Sequence, residues 1–194
     1  MAPNIRSRST RCRTTGDFFA TRADFVEAEQ VLRKVLELNL RVHQPDEDVV
    51  GTSQVNLGIV LHDLGRLREA EAQFRAALAT YAKSLPPDHP SLSLALAGAG
   101  RVLVDEGRVN EALPLLRKAA ELTSSAELAN SPMRAVARIS LGSALARTGA
   151  YEEAAPLLRE SYPIVLRTQA ESSAVIRQAR AAESEIEAQR SARR

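Results

Sequence analysis

The sequence predicts an all-α fold, an α-solenoid built from antiparallel helix hairpins. Three observations carry the prediction. The first is a period. Shifted by 42 residues, Gly58 falls on Gly100 and Gly142, and one step back on Gly16. Gly65 falls on Gly107 and Gly149, with Ala23 one step back, and Glu69-Ala70 recurs as Glu27-Ala28, Glu111-Ala112 and Glu153-Ala154. Arg75 recurs as Arg33, Arg117 and Arg159, and Pro114 as Pro156. A period held this long marks a repeat array. The second is composition: Gly and Pro number 9 each in 194 residues while Ala and Leu abound, which favours helix. The third is capping. Asp46, Asp88, Asn130 and Ser172 stand at 42-residue steps, and all four are good N-cap residues.

The elements follow from that register. Residues 1–15 stand apart as a basic arm: Arg6, Arg8, Arg11 and Arg13 alternate with Ser and Thr, and Ile5 is the only large aliphatic residue. Such a segment buries too little apolar surface to fold. A basic arm for nucleic acid or membrane, a transit peptide, and a repeat lost by replacement also fit, and the sequence does not choose among them.

A partial first repeat spans 16–44, with its second helix over about 24–43. Val31, Leu32, Val35, Leu36 and Leu38 recur there at helical spacing. Phe18, Phe19 and Phe25 cluster where this hairpin closes. Either Phe18 and Phe19 fold back over the apolar face, or a second copy or an upstream domain covers it.

The second repeat spans 45–87, the third 88–129 and the fourth 130–171. Their helix pairs fall near 47–64 and 67–84, 89–106 and 109–127, and 131–148 and 151–169. Pro90 and Pro132 sit at helix starts, where a missing N–H costs little. Gly65, Gly107 and Gly149 close the first helices through a left-handed residue. Pro114 and Pro156 lie in first turns, whereas Pro163 lies inside a helix and predicts a kink or break. A last helix over 172–190 has Val175, Ile176, Ala179 and Ile186 on one face and reads as the capping helix a solenoid needs.

Leu57-Gly58 and Leu61, with Ala70, Phe74 and Ala77, form a small-residue and aromatic pattern. It recurs as Ala99-Gly100, Leu103, Ala112, Leu116 and Ala119, and again as Leu141-Gly142, Leu145, Ala154 and Leu158, with Ser161 at its last small position. Over about residues 24–182 the chain resembles the tetratricopeptide repeat (TPR) family. The long period, the segment LPPDHPSLS and the runs EALPLLRKA and EAAPLLRES are similar to the kinesin light chain subgroup and related bacterial repeats. The resemblance implies a right-handed superhelix whose first helices line a concave, peptide-binding groove.

Composition excludes several classes. Charged residues nearly cancel, at a net +2, so bulk charge does not suit nucleic acid. The lone Cys12 cannot form an internal disulfide. No apolar run approaches the roughly 20 residues that span a bilayer, and MAPNIRSRST lacks the apolar core of a secretory signal. The expected location is cytoplasmic.

No catalytic chemistry is expected, and no cofactor or metal. His43, His62 and His89 do not stand with Cys, Asp or Glu at metal-ligand spacing. His89 reads as part of a helix-start loop. His62 and Asp63 are neighbours on a helix, so their side chains diverge. No Gly-rich phosphate loop follows a strand.

Carried over by register, the groove residues implied by the resemblance are Thr52, Val55, Asn56, Ile59, His62 and Asp63 in repeat two. Repeat three supplies Ala97, Gly98, Arg101, Val104 and Asp105, and repeat four Val136, Ile139, Ser140, Ser143, Ala146 and Arg147. Arg101 and Arg147 suit an acidic ligand. A chaperone-tail clamp is not expected, because no lysine lies in the groove. The expected function is a non-catalytic scaffold or adaptor holding an extended or helical protein segment. A regulatory or sensing module of a larger signalling protein, a kinase or a transcription regulator, is the alternative, with self-association through Phe25, Val31 and Leu32 in the first hairpin. Nucleic-acid binding by the arm is the third reading.

Overall fold

A computed structural model describes residues 22–169 and 171–192. The expectations for residues 1–15, and for Phe18 and Phe19, fall outside the described residues. Among the described residues there is no strand. The described residues form eight α-helices: α1 (Arg22–Val42), α2 (Asp48–Asp63), α3 (Leu67–Ser84), α4 (Leu92–Asp105), α5 (Val109–Leu122), α6 (Pro132–Arg147), α7 (Tyr151–Thr168) and α8 (Ala174–Ala192). The pairs α2–α3, α4–α5 and α6–α7 are hairpins, and the second helix of each packs on the first helix of the next. The chain is thus an all-α solenoid.

Each hairpin turns at a glycine. Gly65, Gly107 and Gly149 have φ of +78°, +79° and +81°. At the first turn the Gly65 N–H donates to His62 O and the Arg66 N–H to Leu61 O, both at 2.9 Å. This doubly bonded closure satisfies two of the orphan carbonyls at the end of α2.

The helix starts lie one to three residues later than the register of Asp46, Asp88, Asn130 and Ser172 indicates. The caps are Glu47, Ser91 and Ser131, and α8 begins at Ala174. Among α2, α4 and α6, only α6 has a side-chain cap, Ser131 Oγ accepting from the Arg134 N–H at 3.2 Å. Elsewhere the loops redirect the capping groups. The Glu47 carboxylate turns back to accept from the Gln44 N–H at 2.8 Å. Before α4, the proline-rich segment forms successive tight turns, and His89 Nδ1 accepts from the Ser91 N–H at 3.2 Å. His89 is therefore a loop residue, as its sequence context suggests.

Two further boundaries differ. α5 stops at Leu122 rather than near 127, because Thr123 Oγ1 bonds back to the Ala119 and Ala120 carbonyls. Such back-bonding competes with continued helix. α7 runs unbroken through Pro156 and Pro163, so the expected break at Pro163 does not occur.

The core depends on close approach between helices. Phe74 is fully buried between two glycines, Gly58 of its own hairpin and Gly98 of the next. A Cβ at Gly98 would lie 2.3 Å from the ring, and one at Gly58 2.9 Å from it. Leu116 against Gly100 and Leu158 against Gly142 repeat the arrangement with a smaller side chain. On the outer surface the periodic arginines and glutamates pair between successive second helices: Arg33 with Glu69 at 3.3 Å and Arg117 with Glu153 at 2.7 Å. These pairs are exposed, so solvent screening leaves them little weight in stability.

In α1, Phe25, Ala28 and Leu32 pack toward Val60 and Leu64. Phe25 is buried and Leu32 half-buried, so of the three residues expected to mediate self-association only Val31 is open.

Gly98→Ala is expected to lower stability. Overpacking costs about 1–3 kcal/mol, and alanine's better helix propensity offsets about 1 kcal/mol of it. Thermal unfolding followed by circular dichroism should show a lower Tm, partly restored by Phe74→Leu in the same chain. An unchanged or higher Tm would contradict this packing account.

Candidate functional site

The inner-face positions of the first helices fall into three groups. Thr52 and Asn56 on α2 are exposed, and Ile59 and Asp63 half-buried. Thr52 Oγ1 donates to Asp48 O at 3.0 Å and lies 3.1 Å from the Tyr81 hydroxyl. Val55, Ile139, His62 and Arg101 are closed off from solvent. Val55 packs with Leu57, Ala95 and Ala99 in the core. Asp105, Ser143 and Arg147 border a cavity.

Ala97, Val104, Ile139 and Ala146, all inner-face residues, belong to one core cluster with Val175, Ile176, Ala179, Ala182 and Ile186 of α8. Residues 135–137 and 139–146 of α6, which packs on α4, α5, α7 and α8, are buried, as are 95–104 of α4, which packs on α2, α3, α5 and α6. α8 therefore closes the array against α6 and α7, and it reaches the end of α4 through polar side chains.

Polar contacts carry α8 across to repeat two. Asp63 Oδ1 accepts from the Ala174 N–H at 2.5 Å, placing a carboxylate from 111 residues away at the positive end of α8. Gln178 Nε2 donates to Asp105 Oδ1 at 2.6 Å and to Arg101 O at 3.3 Å, and its Oε1 accepts from Arg101 Nε at 3.2 Å. Arg101 Nη2 donates to His62 Nδ1 at 3.1 Å, which leaves the His62 Nε2–H to donate to Asp105 Oδ2 at 2.7 Å. His62 is thus a neutral imidazole holding a buried arginine and a carboxylate. Burial, and then the Arg101 guanidinium, push it below its ordinary 6.5, against the pull of Asp105 and Asp63. Burial alone would raise the Asp105 carboxyl, but hydrogen bonds from His62 and Gln178 outweigh it and hold the group below its usual value. Burial also lowers Arg101.

Beside this cluster lies a cavity of about 200 Å³. Val104, Asp105, Ser143 and Arg147 form its solenoid wall, and Arg177, Gln178 and Glu185 are among its α8 residues. Cations and anions face it in equal number, two of each. Gln178, the residue through which α8 touches both Arg101 and Asp105, is absent from the residues the register selects. Its signal in sequence was a polar side chain bordering the apolar face of Val175, Ala179 and Ala182. Nothing local tied it to partners 73 and 77 residues away.

Among the described residues, no group of three or more His, Cys, Asp and Glu could hold a metal ion, and no helix is long and apolar enough to cross a membrane.

The folded chain holds His62 below its ordinary value, so the unfolded chain binds a proton first as pH falls. Stability therefore rises with pH between the folded and unfolded values and is lost on acidification through that window. Lowering the pH from about 7 to about 5 should reduce the Tm of the wild type more than that of His62→Gln. Equal reductions would show that His62 is not the titrating group.

The sequence matches the family description "Tetratricopeptide repeat" over residues 14–83, 49–125 and 91–167. No curated protein matches it. Among solved structures, the nearly identical TPR-like repeats of a putative kinesin light chain from Podosopora anserina are similar in fold. One crystal structure of those repeats has 22% identity and a TM-score of 0.61, covering 86% of this chain and 82% of that one. A second has 20% identity and a TM-score of 0.60, covering 88% and 89%. BtubC (BKLC) from P. vanneervenii has 19% identity and a TM-score of 0.50, covering 81% of this chain and 61% of its own. With three overlapping matches that together run from residue 14 to 167, and hairpins packed in the matching order, the chain belongs to the tetratricopeptide repeat family and is a protein–protein interaction module.

Proposed function

We propose that the chain is a non-catalytic adaptor that holds a helical segment of a partner protein on its inner face, alongside α8. The observation that carries this reading is α8 itself. The inner face of α6 accepts an amphipathic helix through a bed of small apolar side chains, and polar groups of α2 and α4 meet the backbone and side chains of that helix. A partner helix of the same kind fits the strip that α8 leaves open: Thr52, Asn56 and Ile59 on α2, with Arg147 at the cavity rim. Thr52, Asn56 and Ile59 stand four and three residues apart and so share one face of α2. Arg147 suits an acidic residue on the partner.

The test is capture of partners from the native cell extract by the full chain, compared with Ile59→Glu/Arg147→Glu. These positions are open or half-buried, so the variant should retain the wild-type helical signal. A partner held by the wild type and reduced at least about tenfold, roughly 1.4 kcal/mol, in the variant is the expected result. A partner held equally by both would move binding off the inner face.

A further inference from the structure

The cavity beside the His62 cluster lies between two walls that carry opposite charges. On its α6 side Ser143 and Arg147 stand four residues apart, on one face of that helix. On its α8 side Arg177, Ala181 and Glu185 keep the same spacing. Two of its four charged residues are engaged within the chain. Both Asp105 oxygens accept hydrogen bonds, one from His62 and one from Gln178, and Arg177 Nη1 donates to the Ser172 carbonyl. The other two are not. Among the described residues, Arg147 and Glu185 have no ion pair or hydrogen bond, with each other or with any other group.

A buried hydroxyl joins them. Ser143 is 3% exposed, and its Oγ has no hydrogen-bond partner among the described residues. Ser140 on the same helix donates its hydroxyl to the Val136 carbonyl at 2.8 Å, and Ser143 makes no such bond. Buried hydroxyls are as a rule hydrogen-bonded, so this one is a donor available to a molecule in the cavity.

These groups specify a ligand by its chemistry. A guanidinium with a hydroxyl one turn before it suits a carboxylate, which accepts a charge-assisted hydrogen bond from the guanidinium. A free carboxylate on the facing helix suits an ammonium. With two cations and two anions around the cavity, the ligand that leaves no charge unbalanced is a zwitterion. The rest of it meets Val104, Ala174 and Ala182, which are buried, small and apolar. Pockets for drug-sized ligands hold about 300–1,000 Å³, so a cavity of about 200 Å³ restricts the ligand to a smaller molecule.

We infer that this cavity is a binding site for a free α-amino acid with a small uncharged side chain, its carboxylate held by Arg147 and Ser143 and its ammonium by Glu185. The bound molecule bridges α6 and α8. This inference does not rest on the adaptor reading: Arg147 is common to both, and Glu185 belongs to the cavity alone.

Thermal unfolding and titration calorimetry of the purified full chain test it, because a ligand of the folded state raises the Tm with its concentration. The probes are glycine, alanine, serine and valine as free amino acids, each at up to about 10 mM. At least one should raise the Tm and give a saturable heat. The same compound acetylated at nitrogen, or amidated at its carboxylate, should not bind. Arg147→Gln and Glu185→Gln should each weaken binding at least about tenfold. Both side chains are exposed, so the helical circular dichroism signal should be unchanged. No response to any of the four amino acids overturns the proposal. So does equal binding of an acetylated or amidated form, or binding retained in either variant. Partner capture enters none of these readouts, so this proposal and the adaptor reading can fail separately.

Discussion

The whole array rests on how closely a first helix approaches the second helices beside it. Phe74 is the plainest case, with its ring pressed between Gly58 and Gly98 and no room for a Cβ at either. One side chain thereby joins two consecutive hairpins. Leu116 on Gly100 and Leu158 on Gly142 set the same spacing further along the chain. Interiors packed to this density transmit a small change to the next layer instead of absorbing it. In a solenoid, where each repeat meets only its neighbours, that layer is the next repeat.

α8 departs from nearest-neighbour logic. It packs on the last hairpin, yet its N-terminus is held by Asp63 of repeat two and its Gln178 by Arg101 and Asp105 of repeat three. A carboxylate at a helix N-terminus is favourable through the helix dipole as well as through the hydrogen bond. The buried Arg101 keeps company with a neutral histidine and a carboxylate, and so is not an uncompensated charge. These contacts tie α8 to the ends of α2 and α4, and on the inner face of α2 they leave Thr52 and Asn56 exposed.

The hairpins were legible because their determinants are local and repeated. Glycine at the turn, a small residue at each close approach and a large apolar residue opposite it recur at a fixed step, and each acts within about one repeat. The caps were less legible. Asp46 and Asp88 have the right chemistry, but Glu47 is drawn back to Gln44, and His89 takes the role before α4. Loop geometry decided both, and no propensity encodes it. For the candidate site, the register named the inner-face positions, including the Asp63, Arg101 and Asp105 that meet α8. It did not show that Ile139 and Arg101 are covered, because their cover lies far away in sequence.

The central claim is that α8 packs on the inner face of repeat four and is tied to repeats two and three through Ala174 and Gln178. Amide hydrogen exchange of the full chain addresses it directly, because protection tracks burial and local opening. The account predicts that amides of residues 176–186 are protected to a degree comparable with those of α6, and that Gln178→Ala speeds exchange in both helices. Exchange of 176–186 at the rate of a frayed terminus, with α6 unaffected by the substitution, would mean that the groove stands open and would contradict the account.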